Sequence, residues 1–408
     1  MLFSLAWRNI WRQKTRTIIT LSSLGFTSAL LVLVLSVQLG MYETMKNNSL
    51  ALFDGFAQIE RNGYSDDPEL DKSISDPDSL IQILGEIPGV TAATPRATSF
   101  AILANDEVSF GAAIVGVDPT TEPMVSTLST TVVSGRFLTD PDAGEIILGD
   151  TLARNLGLSL GQSVTVLGTS ADRSIAADSL ILVGIFKTGM VELDRSIAQM
   201  PLRRFQETFG MGETANVVAL SGKRIGDVNA ALPAIKTAVE KIDAGLVVRD
   251  WKEIQPAVYQ VILLDASTSL TTYFTLVVIV VFIIFNTLLM SVLERTREFG
   301  VLLAVGMKPS QLGKMMWVEL VMLAVLGCTI GIAIGGAGAF WLELVGFTIP
   351  GMEEIMAQFG LSDRLYPDLS IISAIAGPTL IVTFVAIGGI IPYRRILRLE
   401  PVSAMGEG

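Results

Sequence analysis

The side chains best suited to chemistry in this sequence are its carboxylates, and they lack catalytic partners. The chain has 40 Asp and Glu residues but no histidine, and its one cysteine is Cys328. Without histidine it can form neither a Ser-His-Asp triad nor an HExxH zinc site. It also contains no G-x-S-x-G motif and no phosphate-binding P-loop. The sequence therefore predicts a chain that is not an enzyme and has no catalytic residue, metal or cofactor of its own.

One short segment indicates recognition of another protein instead. Residues 294–307 read ERTREFGVLLAVGM, with the charged residues Glu294, Arg295, Arg297 and Glu298 ahead of the apolar Phe299, Leu302 and Leu303. This pattern predicts a short helix that Gly306 and Pro309 end. Because a solvated loop needs no apolar stripe, the helix is expected to rest on a membrane face or on a partner protein, and we favour the partner.

Four long apolar segments would place this helix beside a membrane. Residues 17–42, 266–293 and 369–393 contain no charged residue, and residues 315–342 contain one, Glu319. Each segment exceeds the roughly 20 residues needed to cross a ~30 Å hydrocarbon core. The first is too long for the apolar part of a signal peptide and no clear cleavage site follows it. The sequence therefore predicts an α-helical membrane protein with four transmembrane helices.

Lysine and arginine are distributed unevenly between the segments that join these helices. Residues 1–16, 294–314 and 394–408 hold 11 Lys and Arg among 52 residues. Residues 43–265 and 343–368 hold 18 among 249 residues. By the positive-inside rule, the segments rich in Lys and Arg are cytoplasmic, so both termini are predicted to lie in the cytoplasm. The net charge of −11 argues against nucleic acid as a partner.

The long outer segment, residues 43–265, is predicted to fold as an α+β domain inserted between transmembrane helices 1 and 2. Helices are predicted at 78–86 and 226–243, and strands at 112–117, 145–148, 163–167, 180–186 and 217–220. Asn105 and Asp106, between two apolar runs, indicate a hairpin turn. Residues 118–190 are rich in strands, and we interpret them as a separate β-rich subdomain.

Two patterns suggest how the membrane helices are held. Gly327, Gly331 and Gly335 recur every four residues, which is typical of a face that packs closely against another helix in a dimer or a moving bundle. The alternative is a kink or a chance lipid-facing stripe. Glu319, near the cytoplasmic end of its span, is expected to extend its carboxylate to the membrane interface.

The N-terminal residues 1–16 carry a second membrane signal. Phe3, Trp7, Ile10 and Trp11 recur at helical spacing, beside the basic residues Arg8, Arg12, Lys14 and Arg16. This combination predicts an amphipathic helix that lies in the inner headgroup layer of the lipid membrane. The alternative is a plain extension of the first span with flanking charges.

Residues 294–306 fit, position by position, the signature E-R-x-x-E-[IF]-G-x-L-x-A-x-G, and so resemble the FtsX-like/MacB-type permeases of ABC transporters. The resemblance covers nearly the whole chain. Residues 6–12 are similar to the family's N-terminal basic helix, and residues 145–149 to its periplasmic core pattern. Residues 182–189 are most similar to the lipoprotein-releasing LolC/LolE branch.

The resemblance implies a permease of the bacterial inner membrane in which residues 43–265 are a large periplasmic domain. A separate ABC-type ATPase would dock on residues 294–307, and a second permease chain would complete a homodimer or heterodimer. The residues implied to couple to the ATPase are Glu294, Arg295, Arg297, Glu298, Gly300, Leu303 and Gly306.

The resemblance also implies extraction or export of an amphiphilic substrate, a lipoprotein or a lipid, from the inner membrane. The alternative is an FtsX-like regulatory scaffold, which transmits ATPase cycling to a periplasmic partner without transport. The length of residues 43–265 favours the transporter. One stretch departs from the LolC/LolE branch, in which a hairpin contacts a soluble carrier: the matching residues, 167–180, are small and polar at their centre and provide no apolar tip.

Overall fold

The structure, a computed structural model, describes residues 2–294, 301, 303, 305–348, 350–351 and 364–397. Its helices are α1 (Leu2–Ile10), α2 (Lys14–Ser49), α3 (Pro77–Gly85), α4 (Glu122–Val125), α5 (Asp150–Asn155), α6 (Val191–Ser196), α7 (Leu202–Phe209), α8 (Ile225–Ile242), α9 (Trp251–Ile254), α10 (Pro256–Glu294), α11 (Pro309–Val345), α12 (Ile371–Gly388) and α13 (Ile390–Ile396). Its strands are β1 (Ala57–Arg61), β2 (Ala92–Ala104), β3 (Ser109–Val117), β4 (Val132–Gly135), β5 (Glu145–Gly149), β6 (Ser163–Thr169), β7 (Ile175–Phe186), β8 (Ile197–Pro201), β9 (Val217–Ser221) and β10 (Leu246–Asp250).

Four of these helices, α2, α10, α11 and α12, are long and apolar enough to cross a membrane. Helices α2, α10 and α11 each contain one of the predicted apolar segments, and α2 and α10 extend well beyond the apolar residues. Helix α12 covers Ile371–Gly388 of the fourth segment, and α13 continues it. Helix α10 begins at Pro256, ten residues before the apolar run, because proline fits the first turn, where its missing N–H is not needed. Helix α12 begins with a capping box in which Ser370 accepts a hydrogen bond from the Ser373 backbone N–H.

The four apolar helices belong to a helical unit formed by Met1–Glu43, Ile262–Thr348 and Arg364–Gly408. Its core takes one or more buried side chains from each of them: Leu24 and Leu31 from α2, Val277 and Ile284 from α10, Leu320, Ala324 and Cys328 from α11, and Ile381 and Val385 from α12. Cys328 is buried in this core, where a free cysteine packs as a small apolar residue.

Residues Thr44–Val261 form the second unit, in which all ten strands join one sheet. The strand order along its main path is β10-β1-β9-β2-β3-β8-β5-β7-β4, and β6 pairs with both β2 and β7. The pairs β3–β8 and β5–β7 are parallel, and the other pairs are antiparallel. Helices accompany this mainly antiparallel sheet, which is the α+β arrangement that the sequence predicts.

The predicted hairpin at Asn105 is confirmed. Strands β2 and β3 are antiparallel, with Ala104 opposite Ser109 at the turn. The Asn105 side-chain oxygen accepts hydrogen bonds from the backbone N–H groups of Glu107 and Val108, at 2.9 and 2.7 Å. This is the local bonding that makes asparagine a preferred turn residue.

Two of the four strands within residues 118–190 pair with strands outside that range. Strand β6 pairs with β2, and β5 pairs with β8. The sheet is therefore continuous through this region, and the existence of a separate β-rich subdomain remains a prediction. One buried ion pair also crosses its boundary, because Arg96 on β2 donates two hydrogen bonds, of 2.9 and 2.8 Å, to the Glu122 carboxylate.

Candidate functional site

An apolar cavity lies inside the helical unit, between α2, α10 and α12. Its volume is ≈ 260 Å³, slightly below the roughly 300–1,000 Å³ of typical small-molecule pockets. It is lined by Leu31, Leu35, Gln38, Leu39, Tyr42, Ala266, Leu270, Tyr273, Val277, Ile372, Ala376, Gly377 and Leu380. Because almost all of this surface is aliphatic or aromatic, the cavity suits part of an acyl chain.

A group of five polar side chains, the polar cluster, adjoins this cavity. The Gln38 amide nitrogen lies 2.6 Å from the Tyr42 hydroxyl, 3.0 Å from the Asp265 carboxylate and 2.5 Å from the Ser269 hydroxyl. Tyr42 donates a 2.6 Å hydrogen bond to Asp265, and Tyr273 donates one of 2.6 Å to the Gln38 amide oxygen. The cluster thus joins α2 to α10 beside an apolar space.

Helical spacing explains why these side chains meet. Gln38 and Tyr42 are four residues apart on α2, and Asp265, Ser269 and Tyr273 are spaced by four on α10, so each set lies on one face of its helix. The cluster was not predicted from the sequence. Its signal was present in the polar Gln38 within an otherwise apolar run and in the spacing of the three α10 residues.

The small-residue face of α11 packs against α2 of the same chain. A Cβ atom at Gly327 would lie 2.5 Å from the Leu24 Cβ, and one at Gly331 would lie 2.3 Å from the Ser28 Cβ. At Gly335 it would lie 2.6 Å from the Ala29 carbonyl oxygen. Since real Cβ contacts are not this short, only glycine allows the two helices this close approach. A role of these glycines in movement or dimerisation stays a prediction.

The expectation for Glu319 is wrong. Its side chain is buried and accepts a 2.6 Å hydrogen bond from the Asn9 amide. Helix α1 packs against α11 and supplies this partner, so the carboxylate is satisfied inside the protein and does not need to reach the membrane interface. The sequence pattern could not reveal a partner 310 residues away.

The predicted coupling residues are only partly within the described chain. Arg295, Arg297, Glu298 and Gly300 lie outside the described residues, and Glu294 is the last residue of α10. Leu303 is buried in a small apolar cluster with Leu312, Met315, Met316 and Ile396. Gly306 has a φ of 105°, a value that favours glycine, and its N–H donates to the Leu303 carbonyl in the turn before α11. ATPase docking here stays a prediction.

The predicted tip of the β6–β7 hairpin is polar, as the sequence indicates. The turn runs through Ser170 and Asp172, whose side chains hydrogen-bond each other. An exposed apolar side chain does stand beside the tip, because Ile175, the first residue of β7, is 85% exposed. Among the described residues, no three His, Cys, Asp or Glu side chains are grouped as a metal site.

Two family models match the chain in succession. The MacB-like periplasmic core domain matches residues 17–235, and the FtsX-like permease C-terminal domain matches residues 270–401. The first match alone covers more than half of the sequence. The order of the two matches agrees with one apolar helix, a large α+β unit and three further apolar helices.

The chain is also similar to individual proteins. The lipoprotein-releasing system transmembrane protein LolC of Neisseria meningitidis serogroup B is 24% identical over 404 residues, covering 95% of this chain and 93% of LolC. The pyoverdine export ATP-binding/permease protein PvdT of Pseudomonas savastanoi pv. phaseolicola is 25% identical over 422 residues, covering 98% of this chain and 58% of PvdT. Among solved structures, the chain is similar to the crystal structure of the periplasmic region of MacB from Actinobacillus actinomycetemcomitans. The two are 15% identical, and the match covers 50% of this chain and 92% of the MacB chain with a TM-score of 0.36.

The apolar helices, the α+β unit and the two consecutive family matches therefore identify one type of protein. The chain belongs to the FtsX-like/MacB-type family of ABC transporter permeases.

Proposed function

We propose that this chain is the permease subunit of an ABC transporter that extracts an amphiphilic substrate, a lipoprotein or a lipid, from the outer leaflet of the bacterial inner membrane. The observation that carries the proposal is the apolar cavity with the polar cluster beside it. An acyl chain entering the cavity would bury apolar surface at about 25 cal/mol per Å². The hydroxyl, amide and carboxylate groups of the cluster would meet the polar part of the same molecule.

The position of the cavity along the helices supports this direction of transport. Tyr42 is the last residue of the first apolar segment, and Ala266 is the first residue of the second. Both therefore mark the ends of the spans that the distribution of Lys and Arg assigns to the periplasmic side. A cavity at this level would lie among the acyl chains of the outer leaflet, where a lipoprotein awaiting release would be anchored.

This sequence has no P-loop, so the energy for extraction would come from an ATPase outside it. We propose that a separate ABC-type ATPase docks on residues 294–307 and that two permease chains form the complex, with both termini in the cytoplasm. An FtsX-like scaffold that transports nothing would use the same ATPase docking. The cavity favours the transporter, since a scaffold has no need of an acyl-sized space between its membrane helices.

The experiment uses a fluorescent triacylated lipopeptide as the probe and the full chain in detergent micelles. Ala376 lines the cavity, and Ala376→Phe would fill part of it. Ala374→Phe makes the same change on α12 at a residue that does not line the cavity, and it serves as the matched control. Fluorescence anisotropy should show that Ala376→Phe weakens probe binding by about tenfold, or ~1.4 kcal/mol. Equal binding by both variants and the unmodified chain would contradict the cavity as the acyl site.

A further inference from the structure

Helix α1 is docked on the helical unit in one fixed orientation. Ala6 and Ile10, one turn apart, are 0% and 2% exposed, and Asn9, on the same face, bonds the buried Glu319 carboxylate at 2.6 Å. The Thr17 hydroxyl donates a 2.5 Å hydrogen bond to the Ile10 carbonyl, which satisfies a backbone acceptor where α1 ends. These contacts leave the opposite face of α1 directed away from the protein.

The exposed side of α1 and of the residues that join it to α2 combines aromatic and basic side chains. Trp7 and Trp11 are 43% and 40% exposed, and their rings meet edge to face with centroids 6.0 Å apart. Arg8, Arg12 and Lys14 are exposed on the same stretch. Of the apolar side chains predicted to lie in the headgroup layer, Ile10 instead packs into the protein. Among the side chains whose exposure the structure describes, the tryptophans and the cations face outward.

The lipid-facing side of α2 continues from this face. Ile18, Ile19 and Phe26 lie in the uncharged segment 17–42, and their side chains are 55%, 63% and 73% exposed. Exposed side chains of this kind on a spanning helix contact acyl chains. Trp11 lies in the turn between α1 and α2, seven residues before Ile18. Tryptophan favours the level where the acyl region gives way to the headgroups.

We propose that Trp7, Arg8, Trp11, Arg12 and Lys14 form a preformed site for the headgroup of an anionic phospholipid, whose acyl chains lie along the exposed face of α2. The cations match a phosphate-bearing headgroup of net negative charge, and the tryptophan rings occupy the interface beneath it. The site is separate from the cavity between α2, α10 and α12, so it does not rest on the proposed transport function.

The test measures quenching of tryptophan fluorescence in the full chain reconstituted into phosphatidylcholine nanodiscs. Brominated phosphatidylglycerol and brominated phosphatidylcholine with the same acyl chains are compared at equal mole fraction. The unmodified chain should show stronger quenching by the anionic lipid. This excess should disappear in the Trp7→Phe/Trp11→Phe variant, which assigns the signal to these two of the five tryptophans.

Charge variants then separate a defined site from general attraction. Arg8→Gln/Lys14→Gln should lower the apparent preference for the anionic lipid by about tenfold or more. Lys308→Gln/Lys314→Gln removes the same charge from exposed positions at the start of α11 and should keep the preference. Equal quenching by the two lipids in the unmodified chain, as would occur if a protein covered this face, overturns the proposal. Loss of the preference in both charge variants, or in neither, also overturns it.

Discussion

The Tyr42 hydroxyl donates a 2.6 Å hydrogen bond to the Asp265 carboxylate, 223 residues away in the sequence. The bond ties the end of the first apolar segment to the start of the second, beside the apolar cavity. Because Asp265 also lies 3.0 Å from the Gln38 amide nitrogen, the two helices are held together by a small network whose members depend on one another.

Removing one member of this network should therefore destabilise the helical unit. Tyr42→Phe deletes the donor to Asp265, and we expect a loss of about 1–3 kcal/mol, the usual range for a hydrogen bond to a charged group. Thermal unfolding of the detergent-solubilised chain measures this. Thr271→Val removes a hydroxyl that bonds only the Ser267 carbonyl one turn earlier on α10, and should change little. Equal effects of the two substitutions would show that the network is not holding the helices.

The close contact between α11 and α2 makes a second prediction. Gly331→Leu places side-chain atoms where the Ser28 Cβ already lies 2.3 Å from the position of a Cβ, and overpacking of this kind costs roughly 1–3 kcal/mol or more. Gly336, on the same helix, has no atom within 4 Å of its Cβ position. Gly336→Leu should leave the melting temperature nearly unchanged. Tolerance of both substitutions would mean that the glycine face is not closely packed.

A third prediction concerns how the stability of the α+β unit depends on pH. Burial acts to raise the pKa of the Asp178 carboxyl, but hydrogen bonds from Arg204, Thr208 and the Ser179 N–H, with the charge of Arg204, hold this pKa below its ordinary value. A carboxyl with a lowered pKa in the folded state stabilises the protein above its unfolded pKa, and this contribution is lost as the pH falls through the folded value.

The Asp178→Asn variant should accordingly be less stable than the unmodified chain at pH 7, by about 1 kcal/mol or roughly 2–4 °C in Tm. The difference should shrink as the pH is lowered below about 4. Asp142→Asn, at an exposed residue whose contact with Arg203 is 3.5 Å long, is the control. A difference between Asp178→Asn and the unmodified chain that is constant from pH 7 to pH 3 would refute this assignment.

Several features could be predicted from local sequence alone. The strand at Glu145–Gly149 and the turn at Asn105 follow from short-range composition and turn chemistry. The pairing of β6 with β2 does not, because it joins Ala104 to Thr165, with β3, β4 and β5 between them in the sequence. For the same reason the sequence could suggest that Glu319 matters but not that Asn9 satisfies it. The cavity and the polar cluster exist only after α2, α10 and α12 have packed.

Residues 294–307, on which we propose that the ATPase docks, give a fourth prediction, which rests on the sequence motif. Glu298→Lys reverses a charge that the signature fixes, and like charges across an interface cost several kcal/mol. The variant should insert normally but co-purify with less ATPase. If Glu298 only pairs locally, an exposed pair of this kind contributes about 1 kcal/mol at most and ATPase binding should not change. Glu407→Lys, a reversal outside the segment, is the control, and an equal loss of ATPase in both variants would remove the special role of Glu298.

The proposed function requires that ATP hydrolysis drives an amphiphile out of the membrane through the cavity between α2, α10 and α12. The complex of this permease with its ATPase is reconstituted into vesicles that contain a fluorescent triacylated lipopeptide, and transfer of the lipopeptide to acceptor vesicles is measured with and without ATP. We expect transfer that requires ATP, that is strongly reduced by Ala376→Phe and that is retained in Ala374→Phe. A complex that hydrolyses ATP but transfers the lipopeptide no faster than without ATP would contradict it.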